Sequence, residues 1–213
     1  MINAVDKFVR FCSSDFGRKI LEKETNYLYK ELRDYKRILD IGCGIGQFEE
    51  RLSQLNITGL DNSEAMLEEA RKRSDKGFVL GNGERLEFPD WSFDAIVYIT
   101  TLEFVDDYKK AINEAVRVLE PKGKLVVMML NPESEYFKAH MQKEDSYFRR
   151  MRHKNLQGIE RYISRFFSVH SEYFLGIKGQ EVFDSHDPRF ASLYVIKGIK
   201  KDDLPKLLQD QNI

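Results

Sequence analysis

The stretch Arg37-Ile38-Leu39-Asp40-Ile41-Gly42-Cys43-Gly44-Ile45-Gly46 decides the fold of this chain. Its first half is rich in large apolar residues and predicts a short buried strand. Glycines at alternate positions then let the backbone turn tightly into a helix, predicted over Gln47–Leu55. Such a turn also lets a ligand lie against bare backbone, although turns of this kind occur for packing alone as well.

The spacing of the glycines and the acid before them restrict the ligand. A dinucleotide-binding turn has the form Gly-x-Gly-x-x-Gly. Counted from Gly42, the third glycine position holds Gln47, and counted from Gly44 it holds Glu49. The Asp40 carboxylate would repel a pyrophosphate, whereas it suits a ligand with a positively charged amino group. The turn therefore favours a cationic nucleoside over NAD(P).

A second acid, Asp61, ends the next predicted strand. Ligands of open α/β sheets lie beyond the carboxyl ends of the strands, where an acid can accept hydrogen bonds from both hydroxyls of a ribose. A helix follows directly at Ser63, so capping of that helix is the alternative role. Ribose binding is the favoured one.

Short runs of β-type residues alternate with helical periodicity along the chain. Most of the first five runs are nearly continuous apolar segments, which are typical of parallel strands covered on both faces. Repeated βαβ units imply right-handed crossovers. We therefore expect a Rossmann-like, doubly wound, mostly parallel seven-stranded sheet with helices on both faces and a terminal antiparallel strand. The predicted strands are Arg37–Ile41, Ile57–Asp61, Gly77–Leu80, Phe93–Thr100, Lys124–Leu130, Ser171–Lys178 and Ala191–Lys200.

The same pattern predicts a single domain with a helical insertion before the last two strands. Its parts are a helical cap (1–35), a ligand-binding core (36–130), a helical insertion or lid (131–168), closing strands (169–200) and a tail (201–213).

Composition narrows the class of protein. The chain has 213 residues and a net charge of −1, without the clustered positive excess that nucleic-acid binding by counterion release needs. It has no apolar run long enough to span a bilayer and no signal-peptide pattern, so we expect no membrane insertion and a cytoplasmic location. The only cysteines, Cys12 and Cys43, indicate neither a disulfide framework nor a metal site.

Five motifs, in order and at matching spacing, resemble the class I S-adenosylmethionine-dependent methyltransferases, particularly the type 11 group of small-molecule enzymes. They cover roughly residues 36–130 and begin with the glycine turn. The matching stretches are Ile38–Gly46, Gly59–Ser63 with Met66-Leu67, Gly81–Glu84, Leu86–Asp90 with Ser92–Asp94, and Arg117–Leu125. The resemblance implies that the cofactor is S-adenosylmethionine and the product S-adenosylhomocysteine.

The resemblance also implies a role for each cofactor-binding residue. Asp40 would be oriented towards the methionine amino group, and the residues beside the methionine part would be Gly42, Gly44, Gly46, Ile99 and Thr100. Asp61 would hold the ribose and Asn62 would border the adenine. Asn82 would accept from the adenine amino group, and the Gly83 amide would donate to a ring nitrogen. The family commonly has Asp at the position of Asn82, whose amide oxygen can still accept.

Methyl transfer from a sulfonium needs alignment more than an essential catalytic group. Phe104 replaces the histidine of the family's Leu-Glu-His-Val, which removes a ready proton acceptor. Glu103, next to it, is a weak candidate for a general base, and no catalytic residue is otherwise assigned. A basic cluster at 149–154 is either a solvated surface or a site for an anionic acceptor.

The sequence therefore predicts a methyltransferase that acts on a small molecule. It leaves open whether carbon, nitrogen or oxygen is methylated, and it indicates no oligomeric state. The alternatives are a non-catalytic S-adenosylmethionine-binding module and, less favoured, an NAD(P)-type oxidoreductase.

Overall fold

The computed structural model describes residues 4–202, so most of the expected tail 201–213 lies outside the described residues. The helices are α1 (Ala4–Ser13), α2 (Asp15–Leu32), α3 (Gln47–Arg51), α4 (Glu64–Arg73), α5 (Tyr108–Val118), α6 (Glu135–Met141) and α7 (Leu156–Ile163), with a 3₁₀ turn at Tyr147–Arg150. The strands are β1 (Ile38–Ile41), β2 (Ile57–Asp61), β3 (Gly77–Leu80), β4 (Phe93–Ile99), β5 (Leu119–Leu130), β6 (Phe167–Lys178), β7 (Glu181–Phe183) and β8 (Ala191–Lys200).

All strands of the described residues join one mixed sheet in the order β3-β2-β1-β4-β5-β8-β6-β7. The first five strands pair in parallel, and β8 lies antiparallel between β5 and β6. This arrangement confirms the predicted Rossmann-like, mostly parallel fold with antiparallel closing strands.

Within residues 4–202 the sheet has eight strands, where the sequence predicts seven. The additional strand, β7, pairs with the end of β6 through a tight turn in which Gly179 has a φ of 61°. Its three residues are too few to show an alternating pattern. Strand β5 also begins at Leu119 rather than Lys124, because Leu119 pairs with Phe93 ahead of a register shift.

The strand order reverses direction between β1 and β4. From β1 the chain proceeds outward through β2 to β3, and from β4 it proceeds the opposite way to β5. Because both crossovers are right-handed, their helices cover opposite faces of the sheet. The reversal leaves a crevice at the carboxyl ends of β1 and β4, which is where doubly wound sheets bind ligands.

Ion pairs fix α2 to the antiparallel half of the sheet. Glu31 of α2 binds Lys124 Nζ at 2.7 Å and Lys197 Nζ at 3.0 Å, and Lys197 also binds Glu172 at 3.1 Å. These side chains are largely shielded from solvent, so the pairs are screened less than surface pairs. The C-terminal end of α2 is thereby held against β5 and β8. Within residues 4–202, no helix has the length and apolar character that crossing a membrane requires.

Candidate cofactor site

The glycine turn after β1 has a backbone that other residues rarely adopt. Gly42, Gly44 and Gly46 have φ values of 85°, 55° and 71°. A Cβ on Gly42 would lie 2.3 Å from the side chain of Thr101, which follows β4. Both the positive φ and the lack of room for a Cβ therefore require glycine at position 42. The turn packs directly against the residues that follow β4.

Asp61 at the end of β2 ties this turn to the next helix. Its Oδ2 accepts a hydrogen bond from Gly44 N at 2.9 Å, and its Oδ1 accepts one from Ser63 N at 2.9 Å. A carboxylate has about four lone-pair sites, so two acceptor positions remain for ribose hydroxyls. Capping and ribose binding are thus compatible roles of one side chain, which sequence reasoning had set against each other.

Asp40 and Glu49 form a buried pair of carboxyl groups beneath the turn, called here the acid pair. Their exposed fractions are 1% and 0%. No hydrogen-bond donor from residues 4–202 reaches any of their four oxygens, so the groups hydrogen-bond to each other only when one of them is protonated. Burial, and then the charge of Glu49, raise the pKa of Asp40 well above its usual range, and burial raises the pKa of Glu49 to about 7.

The expected adenine end lies on exposed loops after β2 and β3. Asn62 and Asn82 are both exposed, and Asn82 Oδ1 already accepts from Glu84 N at 2.8 Å. Gly83 packs against β1, since a Cβ there would lie 2.7 Å from Ile41 Cγ2. The close approach explains why glycine stands at position 83.

At the end of β4, Ile99 is buried and Thr100 has a φ of 47°, an uncommon conformation for a residue branched at Cβ. Thr100 N donates to Met128 O at 2.7 Å, which holds the backbone there. The expected methionine-side residues thus meet at the carboxyl ends of β1 and β4, as the fold requires. Such a strained residue at a crevice is a common feature of functional sites.

Glu103 is enclosed rather than open to the crevice. Its exposed fraction is 0%, and Oε1 accepts from Leu130 N at 2.8 Å. The other oxygen, Oε2, is buried and has no hydrogen-bond partner among the described residues. Burial raises the pKa of Glu103 to about 7. The side chain joins the ends of β4 and β5, and only Oε2 is available for a further contact.

The insertion reaches this part of the site. Arg152 N and His153 N both donate to Glu103 O, and the rings of Tyr147 and Phe104 lie 4.5 Å apart between centroids. Arg152 is also paired with Asp106 at 2.8 Å. Part of the basic cluster is therefore engaged in holding the insertion against the loop after β4.

Helix α1 covers the glycine turn from the other side. The Cε1 atom of Phe8 lies 3.7 Å from the position that a Cβ on Gly44 would occupy, and Phe8 is 40% exposed. Lys7 of α1 binds Asp145 of the insertion at 2.9 Å. The N-terminal segment and the insertion thus meet above the crevice.

Sequence reasoning missed Glu49, Thr101 and Phe8 as parts of this site. Nothing in the pattern distinguishes Glu49 from Glu50, because α3 is too short for helical periodicity to select a buried face. The sequence contains one indication of a buried neighbour here, the glycine at position 59 within a predicted strand. Gly59 leaves room for the Glu49 side chain. No group of three or more potential metal ligands occurs within residues 4–202.

Taken together, the fold and the site define an α/β protein whose crevice suits a nucleoside bearing an amino group. The polar atoms without partners at Asp40, Gln47 and Glu49 lie where such a ligand needs partners, so the residues present fit S-adenosylmethionine. Residues 39–127 match the family described as "Methyltransferase domain". The chain belongs to the S-adenosylmethionine-dependent methyltransferases, which confirms the predicted family and cofactor.

Individual relatives agree with this assignment. The chain is 39% identical over 102 residues to demethylmenaquinone methyltransferase of Thermotoga maritima, which covers 46% of this chain and 44% of the relative. It is 38% identical over 145 residues to an uncharacterized protein of Methanocaldococcus jannaschii, covering 67% and 69%. The chain spans about half the length of the first curated relatives it matches.

The fold has a close counterpart among solved structures. A protein of Thermotoga maritima described as an S-adenosylmethionine-dependent methyltransferase, "possible histamine N-methyltransferase", superposes with a TM-score of 0.79. The two share 26% sequence identity, and the match covers 93% of this chain and 96% of that one. The similarity therefore extends beyond the matched core to the closing strands and the insertion.

Proposed function

We propose that this chain transfers the methyl group of S-adenosylmethionine to a small-molecule acceptor by in-line displacement. The observation that carries the proposal is the acid-bearing glycine turn at the switch point of the sheet, with the buried carboxyl groups of Asp40 and Glu49 lacking any donor within residues 4–202. Two buried carboxyl groups without donors suit a ligand that brings positive charge and N–H groups of its own.

The proposed cofactor contacts follow the geometry of the site. Asp40 attracts the methionine amino group, beside Gly42, Gly44 and Gly46. Asp61 accepts from the ribose, and the adenine lies between Asn62 and the Asn82-Gly83 turn. Ile99 and Thr100 border the methionine part from β4. The order along the sheet edge, from β4 through β1 and β2 to β3, matches an extended ligand.

When bound, S-adenosylmethionine supplies a methyl group already activated by its positively charged sulfur. The chain then has to orient the acceptor and exclude water, and orientation alone contributes about 7–11 kcal/mol of barrier lowering. We assign water exclusion to α1 and the insertion, which meet above the crevice through Lys7 and Asp145. For this role, residues 1–35 and 131–168 must belong to the same domain as the core, as we propose.

Glu103 is proposed as the weak candidate for a proton acceptor, in reactions where the substrate carries a proton on the attacking atom and reaches the enclosed Oε2. A carboxyl group whose pKa burial raises to about 7 is suited to take up a proton near neutral pH. Glu103→Gln is then expected to lower kcat about 10²–10⁴-fold with unchanged cofactor affinity. A structural role alone would leave the pH profile of kcat unchanged.

Titration calorimetry followed by methyl-transfer assays tests the proposal. S-adenosylmethionine and S-adenosylhomocysteine should bind, and NADH should not. Tritium from the methyl-labelled cofactor should then enter one class in a panel of amines, hydroxyl compounds and quinone rings. The panel includes the classes of acceptor in the names of two similar proteins, one a possible histamine N-methyltransferase and one a demethylmenaquinone methyltransferase. NADH binding without S-adenosylmethionine binding would overturn the proposal, and cofactor binding without transfer would favour the non-catalytic module.

We also propose that the acceptor is not a nucleic acid and that the protein acts in the cytoplasm. Near-neutral net charge argues against a nucleic-acid acceptor, and the two free cysteines, Cys12 and Cys43, suit a reducing cytoplasm.

A further inference from the structure

The acid pair occupies a space that three elements create together. Asp40 on β1 stands opposite Gly59 on β2 in the parallel register. Glu49 on α3 enters the room left by Gly59, because its Oε1 lies only 2.9 Å from where a Cβ on that glycine would be. The Asp40 and Glu49 carboxyl groups therefore meet in the layer between the sheet and α3.

No cation within residues 4–202 shifts the pKa of either member of the pair. Cys43 Sγ and the ring of Phe78 border the same space at Gly59. The remaining acid nearby is Asp61, which is committed to two backbone N–H groups. Burial and the neighbouring carboxylates raise the pKa of Cys43, so that thiol remains neutral. Among the described residues, Asp61 is the one further charged group that shifts the pKa of Asp40.

Two adjacent carboxyl groups that are both buried cannot both ionise without a compensating charge. One shared proton removes the repulsion and provides the hydrogen bond that their oxygens otherwise lack. A ligand ammonium group beside Asp40 would supply the missing positive charge and stabilise the second ionisation. The repulsion between the two carboxyl groups is therefore relieved either by the shared proton or by the positive charge of the ligand.

We propose that Asp40 and Glu49 hold one shared proton in the absence of cofactor and release it to solvent when the α-ammonium group of the methionine part binds. The inference rests on the proposed function, because it takes that ammonium group to be the ligand of Asp40. Glu49 is then a positioning residue, which acts on the cofactor through Asp40. Cofactor affinity becomes dependent on pH, and binding occurs with net proton release.

The sign of the dependence follows from the linkage between binding and ionisation. Below the pKa of the free pair, ligand binding must displace a proton, and the dissociation constant falls as pH rises. Full displacement of the shared proton gives tenfold tighter binding per pH unit up to the pKa of Asp40, which burial and the charge of Glu49 raise well above its usual range. Below about pH 7, where Glu49 of the free pair is protonated as well, the dependence is at least as steep. An α-amino group begins to lose its own proton near pH 7.7–8.0, so measurements between about pH 5.5 and 7 keep the ligand fully charged.

Calorimetric titration of the full chain with S-adenosylhomocysteine measures both consequences. Between pH 6 and pH 7 the dissociation constant should fall at least about tenfold. At pH 6 the binding enthalpy should differ between phosphate and imidazole buffers by an amount that corresponds to at least one proton released. 5′-Methylthioadenosine, which lacks the amino-acid group, should show neither effect.

Glu49→Gln and Glu50→Gln form the matched pair of variants. In Glu49→Gln, the introduced side-chain amide would donate permanently to Asp40, so the pH dependence and the proton release should both disappear. Glu50 is the exposed neighbour on the same helix, and Glu50→Gln should behave as the wild type. Since Asp61 is intact in both variants, its titration cannot produce the difference.

The outcomes separate the acid pair from the proposed function. Binding whose affinity does not change with pH, or proton release that persists in Glu49→Gln, would overturn the inference and leave the function standing. The same holds for equal pH dependence with 5′-methylthioadenosine, a comparison that remains decisive in the wild type even if Glu49→Gln does not fold. No binding of S-adenosylmethionine or S-adenosylhomocysteine at any pH would overturn both.

Discussion

Asp61 shows how one residue can serve the fold and the ligand together. Its carboxylate accepts hydrogen bonds from the amides of Gly44 and Ser63, and two acceptor positions remain for the proposed ribose hydroxyls. Removal of this carboxylate should therefore affect cofactor binding in two ways. It removes the proposed ribose acceptor, and it frees the Gly44 amide of the glycine turn.

Asp61→Ala is expected to weaken S-adenosylhomocysteine binding at least tenfold, about 1.4 kcal/mol, through loss of hydrogen bonds to the ribose. Calorimetry provides the dissociation constant, and Asp75→Ala, at an exposed aspartate before β3, is the control. A 2′-deoxy analogue should bind wild type more weakly, with a smaller loss in Asp61→Ala. Binding of the parent ligand within twofold of wild type would show that the ribose lies elsewhere.

The residue scale also shows where sequence reasoning ends. Asp40 and Asp61 could be identified because each stands at the end of an apolar strand, where the topology dictates their position. Glu49 could not be identified, because a helix of five residues has no periodicity from which to read its buried face. The second member of the acid pair emerges only when α3 is packed against Gly59.

At the scale of elements, α2 carries a buried acid within its apolar face. The face contains Ile20, Leu21 and Leu28, and Glu24 lies among them with an exposed fraction of 7%. Burial raises the pKa of Glu24 to about 8. An unfolded glutamate ionises near its ordinary value, so the folded state retains a proton that the unfolded chain loses.

Glu24→Gln should therefore change how stability depends on pH. Wild type is free of the penalty below about pH 4.5 and loses stability as pH rises towards 8, by at most about 1.4 kcal/mol per pH unit. The difference in free energy of unfolding between Glu24→Gln and wild type should grow in favour of the variant from pH 5 to pH 8. Urea denaturation measures it, with Glu22→Gln on the exposed face as the control. A constant difference over this range would contradict the assignment.

Helix α1 places the ring of Phe8 over the glycine turn of the candidate cofactor site. Because Phe8 is 40% exposed and lies over Gly44, its removal should affect the ligand more than the fold. Phe8→Ala is expected to weaken S-adenosylmethionine binding several-fold, about 1 kcal/mol of lost apolar contact, with little change in the urea midpoint. Tyr29→Ala on α2, at a similarly exposed aromatic residue, should leave the affinity unchanged. Equal effects of the two variants would exclude a covering role for α1.

Elements differ in how far their sequences specify them. The bounds of Ile57–Asp61 and Ala191–Lys200 follow from sequence, because long apolar runs end at charged residues or turns. Strand β7 has three residues and depends on pairing with β6, so its existence is a tertiary property. The insertion is helical as expected, but its contact with Glu103 depends on backbone hydrogen bonds that no sequence pattern encodes.

At the scale of the whole molecule, the last strand completes the sheet. Strand β8 lies between β5 and β6, so the chain must reach Lys200 before β6 and β7 can join the parallel half. The Lys200 side chain reinforces this closure, because its buried Nζ donates to Val116 O and Leu119 O at the end of α5. Parts that are distant in sequence therefore depend on one another, which favours cooperative unfolding of the proposed single domain.

This dependence predicts how the molecule should respond to its cofactor. S-adenosylhomocysteine at about 100 times its dissociation constant should raise the free energy of unfolding by about 2.7 kcal/mol. For a domain of this size the corresponding increase in Tm is about 5–11 °C. Scanning calorimetry should show one transition that moves as a unit, while NADH at the same concentration leaves it in place. Two transitions, of which only one responds, would show that the N-terminal helices or the insertion unfold apart from the core. They could not then close the crevice as a fixed part of the domain.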